Sequence, residues 1–296
     1  MPLLKDIEAI LQAPKLFFSK NSVNYYEYLG DDVVEGQADG FKDTTKSLWL
    51  NLGYWKNAQK YPDAAAALAI LLGDAARLGP NDELLDVGFG FAEQDFLWIE
   101  RYGVKRITGL NITPLHVERA NERVKLRGLE SRMDLRLGSA TDIPFPDQSF
   151  DKVTALESAF HFDTRDTFFR EAFRVLRPGG RIATADGARH VEEGPLSFVN
   201  KAILKRWSVP FENMYDSAEY CRRLQAAGFV NAEAHSIREY VFPGTTKYKK
   251  IRQRGITMED AVVQLSPDDI QNIYGLDDWK VTGFSDYLIF SADKPA

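Results

Sequence analysis

Leu84-Leu85-Asp86-Val87-Gly88-Phe89-Gly90-Phe91-Ala92-Glu93-Gln94-Asp95 sets a short apolar run against a glycine pair and then a mixed apolar and acidic stretch. The run reads as a strand and the stretch after it as the start of a helix. Glycines at such a joint let the backbone approach a ligand closely, because a Cβ would fill the space. The helix N-terminus that follows favours a negative group. A dinucleotide fingerprint asks for Gly-x-Gly-x-x-Gly, or Ala in the last place. Here the sixth position is Glu93. The small residue needed for tight helix–strand packing is missing, which favours a nucleoside ligand without a pyrophosphate.

Outward from that loop, strands and helices alternate. Residues 62–78, with Pro62 near the start, predict a helix. A helix is expected over about 92–101, a strand over Val104–Asn111 and an amphipathic helix over 114–127. Met133–Leu137 alternates like a third strand, and Phe150–Ala155 reads as a fourth. A helix over 164–176 and a strand over Gly180–Ala185 follow, with Leu176-Arg177-Pro178-Gly179-Gly180 read as a helix stop and turn. Residues 187–214 break the rhythm. A helix over 217–227 and a strand near 229–236 resume it, and Asp286–Ser291 is a last strand. Residues 240–280 show no clear periodicity but hold the basic cluster Lys247, Lys249, Lys250, Arg252 and Arg254. The pattern implies an α/β fold: a Rossmann-like, doubly wound, mostly parallel seven-stranded sheet with an antiparallel last strand. The expected layout is an N-terminal cap over 1–60, a nucleotide-binding core over 61–186, and lid segments plus the final helix and strands over 187–296.

Bulk properties limit the function classes. The chain has 296 residues, 44% hydrophobic, enough for one large core. Its net charge of −6 repels phosphate backbones, so nucleic acid is not an expected partner. The one cysteine, Cys221, cannot close an internal disulfide, which suits a reducing compartment. No run approaches a membrane span, and the N-terminus lacks a signal-peptide core. A cytoplasmic protein is expected, with a homodimer or higher homo-oligomer left open. No cluster suggests a metal.

Several further segments accompany the glycine loop: Leu50-Asn51-Leu52-Gly53-Tyr54-Trp55, Gln94-Asp95-Phe96, Thr113-Pro114-Leu115-His116-Val117, Gly138-Ser139-Ala140-Thr141-Asp142, and Leu156-Glu157-Ser158-Ala159 with His161. Together with Val175–Gly180 they resemble class I methyltransferases dependent on S-adenosylmethionine (SAM). The likeness is to the small-molecule group that tailors antibiotics, and it runs from about 48 to 186. Phe89 and the Gln94-Asp95 pair are uncommon for the superfamily but shared with that group. The resemblance implies SAM as cofactor, S-adenosylhomocysteine as product and a small-molecule acceptor. It implies that Asp86, Gly88 and Gly90 line the methionine end, that Gln94 is a further cofactor-binding residue, that Asn111 faces the ribose, and that Ser139 and Ala140 lie at the adenine. Tyr54 and Trp55 would close over the cofactor, where aromatic faces attract a sulfonium. Glu157 would touch the cofactor's amino group or the acceptor.

An alcohol acceptor must lose a proton, and histidine is the natural base near neutral pH. His161 lies just past the fourth strand's C-terminal end, where ligands of open α/β sheets gather, and is the expected catalytic base. Asp186, on the same rim, would orient it or bind the acceptor. Methyl-ester formation on a fatty or other organic acid is an open alternative, since a carboxylate needs no base and the basic cluster offers a cation. So is C-methylation of a prenyl-type substrate. A non-catalytic nucleotide-binding module is the alternative from another class.

Overall fold

A computed structural model describes residues 48–257 and 260–296; the part of the expected cap over 1–47 lies outside them. The chain alternates as α1 (Tyr61–Ala76), β1 (Glu83–Val87), α2 (Glu93–Tyr102), β2 (Arg106–Asn111), α3 (Pro114–Leu126), β3 (Met133–Leu137), β4 (Phe150–Leu156), α4 (Arg165–Val175) and β5 (Leu176–Ala188). It continues through α5 (Phe198–Arg206), α6 (Ser217–Ala226), β6 (Val230–Ser236), α7 (Arg238–Arg252), α8 (Pro267–Gln271), α9 (Leu276–Lys280) and β7 (Asp286–Asp293).

Strand composition explains the sheet. Leu84, Leu85, Val87, Ile107, Leu110, Val153, Ala155, Ile182 and Ala183 are buried, as strands covered by helices on both faces must be. The seven strands lie in the order β3-β2-β1-β4-β5-β7-β6. The first five are parallel, and β7 runs antiparallel to both β5 and β6. The order reverses between β1 and β4, which opens a crevice at their C-terminal ends. Helix α1 buries Ala64, Ala65, Leu68, Ala69 and Leu72 without residual exposure. It ends on Arg77 in the left-handed region. Among the described residues no helix is long and apolar enough to cross a membrane.

Two sequence expectations change. Strand β5 begins at Leu176 rather than Gly180, with Leu176 opposite Phe150 and an irregular step before Arg181 meets Lys152. The Pro178-Gly179-Gly180 stretch makes that step instead of a separate turn. Residues 238–252, aperiodic by sequence, form α7. Pro243 and Gly244 interrupt its apolar pattern, and tertiary packing overrides their poor helix propensity.

Candidate functional site

The loop after β1 is built without side chains where space runs out. Gly88 has φ +86°, and a Cβ there would lie 2.3 Å from the Ser158 Cβ. The Ser158 hydroxyl donates to the Val87 carbonyl at 2.7 Å, so the loops after β1 and β4 interlock. Phe89 turns inward and is fully buried. It fits because β2 carries Gly109, whose Cβ would sit 2.6 Å from the Phe89 ring. Gln94, at the start of α2, donates to the Asp86 carboxylate at 2.9 Å and to the Phe89 carbonyl at 3.1 Å. Asp86 also accepts from Thr154 at 2.8 Å. Burial pushes the Asp86 carboxyl up to about 6, against those hydrogen bonds.

A cavity of about 500 Å³ opens over this loop. Gly88, Gly90, Gln94, Asn111, Ser139, Ala140 and Glu157 line it, as does His161. The sheet order puts the loops after β1, β2 and β3 at one end, and the loops after β4 and β5 with the segment entering antiparallel β7 at the other. Asn111 uses its side-chain carbonyl to accept the Thr113 amide at 3.0 Å, which shapes the turn into α3. The Ser139 hydroxyl oxygen accepts the Thr141 amide in the same way at 3.2 Å. Asp142 is exposed and stands off the cavity wall.

Three expected cofactor residues lie elsewhere. Asp86 is behind the glycine loop, where it props Gln94. Tyr54 and Trp55 are not on the cavity wall either. The Tyr54 ring packs edge-on against Tyr240. Trp55 is buried, with its indole N–H directed at the Leu52 carbonyl and the Thr245 hydroxyl. It lies against Gly244 of α7, so its work is to seat that helix. The residues covering the cavity from this side are Leu48, Leu50, Asn51 and Leu52. Their strap is tied down at both ends. The Leu48 amide donates to Glu93, itself paired with buried Arg123, and the Leu52 amide donates to Glu157 at 2.8 Å.

At the second end, Phe160, Trp207, Phe242 and Phe284 surround His161 and Glu157 with aromatic surface. The His161 Nδ1 lies 3.3 Å from the Ser208 carbonyl. A carbonyl only accepts, so in this contact Nδ1 donates, and the Trp207 carbonyl also acts on the ring. Burial lowers the imidazole to about 3, although the Ser208 carbonyl pulls the other way. Asp186 does not reach this histidine. It is fully buried in an ion pair with Arg165, and Arg165 also donates to the carbonyls of Gly187 and Asn213.

Glu157 sits at φ +49°. Its Oε1 accepts both the Leu52 amide and the Tyr287 hydroxyl, the latter at 2.6 Å. Burial pushes this carboxyl up to about 7. Of the basic cluster, Lys249 alone lines the cavity; Lys247 pairs with Asp269 and Lys250 with Asp278. His116 also lines the cavity, 4.5 Å from the Phe91 ring centre. Sequence reading assigned nothing to His116 and did not separate Lys249 from its neighbours. The helical spacing that singles out Lys249 was hidden by Pro243 and Gly244.

Residues 85–184 match a family model described as a methyltransferase domain. The erythromycin 3''-O-methyltransferase of Saccharopolyspora erythraea is 35% identical over 87% of this chain and 87% of its own length. The 27-O-demethylrifamycin SV methyltransferase of Amycolatopsis mediterranei is 32% identical over 71% of this chain and 78% of its own. Among solved structures, the [4+2]-cyclase SpnF has a TM-score of 0.69 at 22% identity, covering 93% of this chain and 97% of that one. A geranyl diphosphate methyltransferase in complex with SAM has a TM-score of 0.61 at 22% identity, covering 78% and 86%. These last two likenesses establish the fold.

Proposed function

The chain belongs to the SAM-dependent methyltransferases, and from that premise we propose that it methylates a hydroxyl oxygen of a small-molecule natural product in the cytoplasm, with His161 as general base. One observation carries this reading: a single cavity joins the glycine loop after β1 to His161 after β4.

The loop suits the cofactor. A Cβ at Gly88 has no room, and one at Gly90 would come 3.1 Å from Leu50, so a ligand can lie against bare backbone. In this reading Gly88, Gly90 and Gln94 hold the methionine end, Asn111 the ribose, and Ser139 and Ala140 the adenine. Asp86 acts through Gln94. The Leu48–Leu52 strap covers the site in place of Tyr54 and Trp55, and the 187–280 segments supply the acceptor end. Bound SAM supplies an electrophilic methyl group on a positive sulfur.

His161 takes the hydroxyl proton as the new O–C bond forms and the S–C bond breaks. Its depressed pKa keeps the ring in the neutral, proton-accepting form at any working pH. The same burial makes it a weak base, so proton removal accompanies methyl transfer rather than preceding it. Aromatic walls exclude water from a step in which positive charge passes from the sulfonium to the imidazole, and alignment of the reacting atoms contributes up to about 7–11 kcal/mol. Asp186 holds Arg165 and the rim of β5, and has no part in proton transfer.

The test is a screen of hydroxylated metabolites with methyl-labelled SAM, read by mass spectrometry alongside calorimetry with S-adenosylhomocysteine. Gain of one ether-linked methyl supports the reading. Failure to bind S-adenosylhomocysteine would overturn it.

A further inference from the structure

Lys249 ends up in an unusual place. It belongs to the last turn of α7, where lysines normally meet water. Its two basic neighbours Lys247 and Lys250 do pair outward with acids on α8 and α9. Lys249 instead turns into the cavity wall. Its ammonium lies 4.4 Å above the ring centre of Trp279, a contact that holds a cation without neutralising it. No carboxylate comes within ion-pairing distance of it among the described residues. The nearest acid along the wall is Glu157, whose Oε1 is already occupied by Leu52 and Tyr287.

We propose that Lys249 anchors a carboxylate carried by an otherwise apolar acceptor. The proposal rests on the reading of this end of the cavity as the acceptor site. Charge balance supports it. Bound SAM carries a net positive charge, His161 is neutral, and burial draws Glu157 toward its neutral form. Burial lowers the Lys249 ammonium while Glu157 holds it up, and in its charged form it is a second cation in a cavity walled by Phe242, Trp279 and Phe284. A buried charge needs a partner; Glu157 acts on Lys249 only through space and is engaged by Leu52 and Tyr287, so an acceptor carboxylate supplies the direct ion pair that the described residues do not. The aromatic wall accepts the apolar body, and the lysine fixes which part of it points at the methyl group. The other carboxylate that could reach a lysine here is that of the methionine moiety. Lys249 packs on Trp279 from a helix that lies against β7, however, whereas the glycine loop lies across the switch point beside β1 and β2.

The experiment is calorimetry on the full chain loaded with S-adenosylhomocysteine. The probes are benzoic, cinnamic, 2-naphthoic and decanoic acids, each paired with its methyl ester. At least one acid should bind tenfold or more tightly than its ester to the wild type. In Lys249→Met that preference should fall to twofold or less, and Lys249→Arg should recover part of it. S-adenosylhomocysteine should bind all three proteins within twofold. Equal binding of every acid and ester by the wild type, or absence of binding by every acid, overturns the anchor, as does a preference that survives Lys249→Met. A tenfold loss of S-adenosylhomocysteine affinity in Lys249→Met, with an unchanged melting curve, assigns the lysine to the cofactor and also overturns it. The functional reading fails separately. If product from an anchored hydroxy acid proves to be a methyl ester, hydroxyl methylation falls and the anchor stands.

Discussion

Arg165 donates from Nη2 to Asp186 Oδ2 at 2.8 Å, with both side chains wholly removed from solvent. The pair joins the first turn of α4 to the end of β5. Through Asn213 it also reaches the segment between α5 and α6, since the Arg165 amide and guanidinium both bond that residue. Burial opposes the guanidinium charge, but Asp186 and the Tyr220 and Tyr215 rings beside it outweigh that cost and keep it protonated. Replacing Arg165 with leucine leaves a buried carboxylate alone. We expect a loss of about 3–5 kcal/mol in urea unfolding. Asp186→Asn should cost less, and its turnover well below the melting temperature should stay within about tenfold of wild type, since Asp186 does not line the cavity.

His161→Ala should lower turnover about 10²-fold or more while leaving S-adenosylhomocysteine affinity nearly intact. Because burial lowers the ring to about 3, turnover should show no histidine limb between about pH 5 and 8, around the ordinary value near 6.5. The stability sign follows. The unfolded histidine binds a proton below about 6.5 and the folded one does not, so the contribution is complete above that pH and lost as pH falls toward 3. A His161→Gln protein should melt with a flatter pH dependence over that window.

Glu157 titrates in the opposite sense. Its carboxyl is raised from 4.5 to about 7 by burial, although Tyr287 and the Leu52 amide favour the charged form. The folded state therefore holds a proton that the unfolded chain releases. The contribution is full below about pH 4.5 and disappears as pH rises through 7. Melting temperature should decline across that range in the wild type, and Glu157→Gln should remove part of the decline. An unchanged slope in the variant would show that Glu157 ionises normally.

Gly88→Ala places a methyl group 2.3 Å from the Ser158 Cβ at a left-handed φ of +86°. The loop must shift, and S-adenosylhomocysteine affinity should drop at least tenfold. Adding Ser158→Gly relieves the contact but not the backbone strain of about 1–2 kcal/mol. The double variant should therefore recover part of the affinity, measurable as a coupling in a double-mutant cycle.

Trp55 and Gly244 supply a matching test on the other side. A Cβ at Gly244 would lie 2.0 Å from Trp55 Cγ. Gly244→Ala should cost about 1–3 kcal/mol by overpacking and displace α7. Activity should fall through the acceptor, as a raised KM, while S-adenosylhomocysteine binding holds.

The sequence by itself determined the strand and helix succession, the glycine joint after β1 and the loops after β1, β2 and β3 that line one end of the cavity. Those features depend on local pattern: an apolar strand, two glycines and a helix start lie within twelve consecutive residues, and their meaning travels with them. The tertiary structure decided the rest. Asp186 and His161 share a sheet rim, yet Arg165, at the start of α4, claims the aspartate. Trp55 looked like a cofactor cover until α7 packed on it, and α7 itself was masked by Pro243 and Gly244. Lys249 could be told from four other basic residues only once the helix showed which way each one turned. Side-chain direction and burial arise from contacts between segments distant in the chain, and no local pattern carries that information.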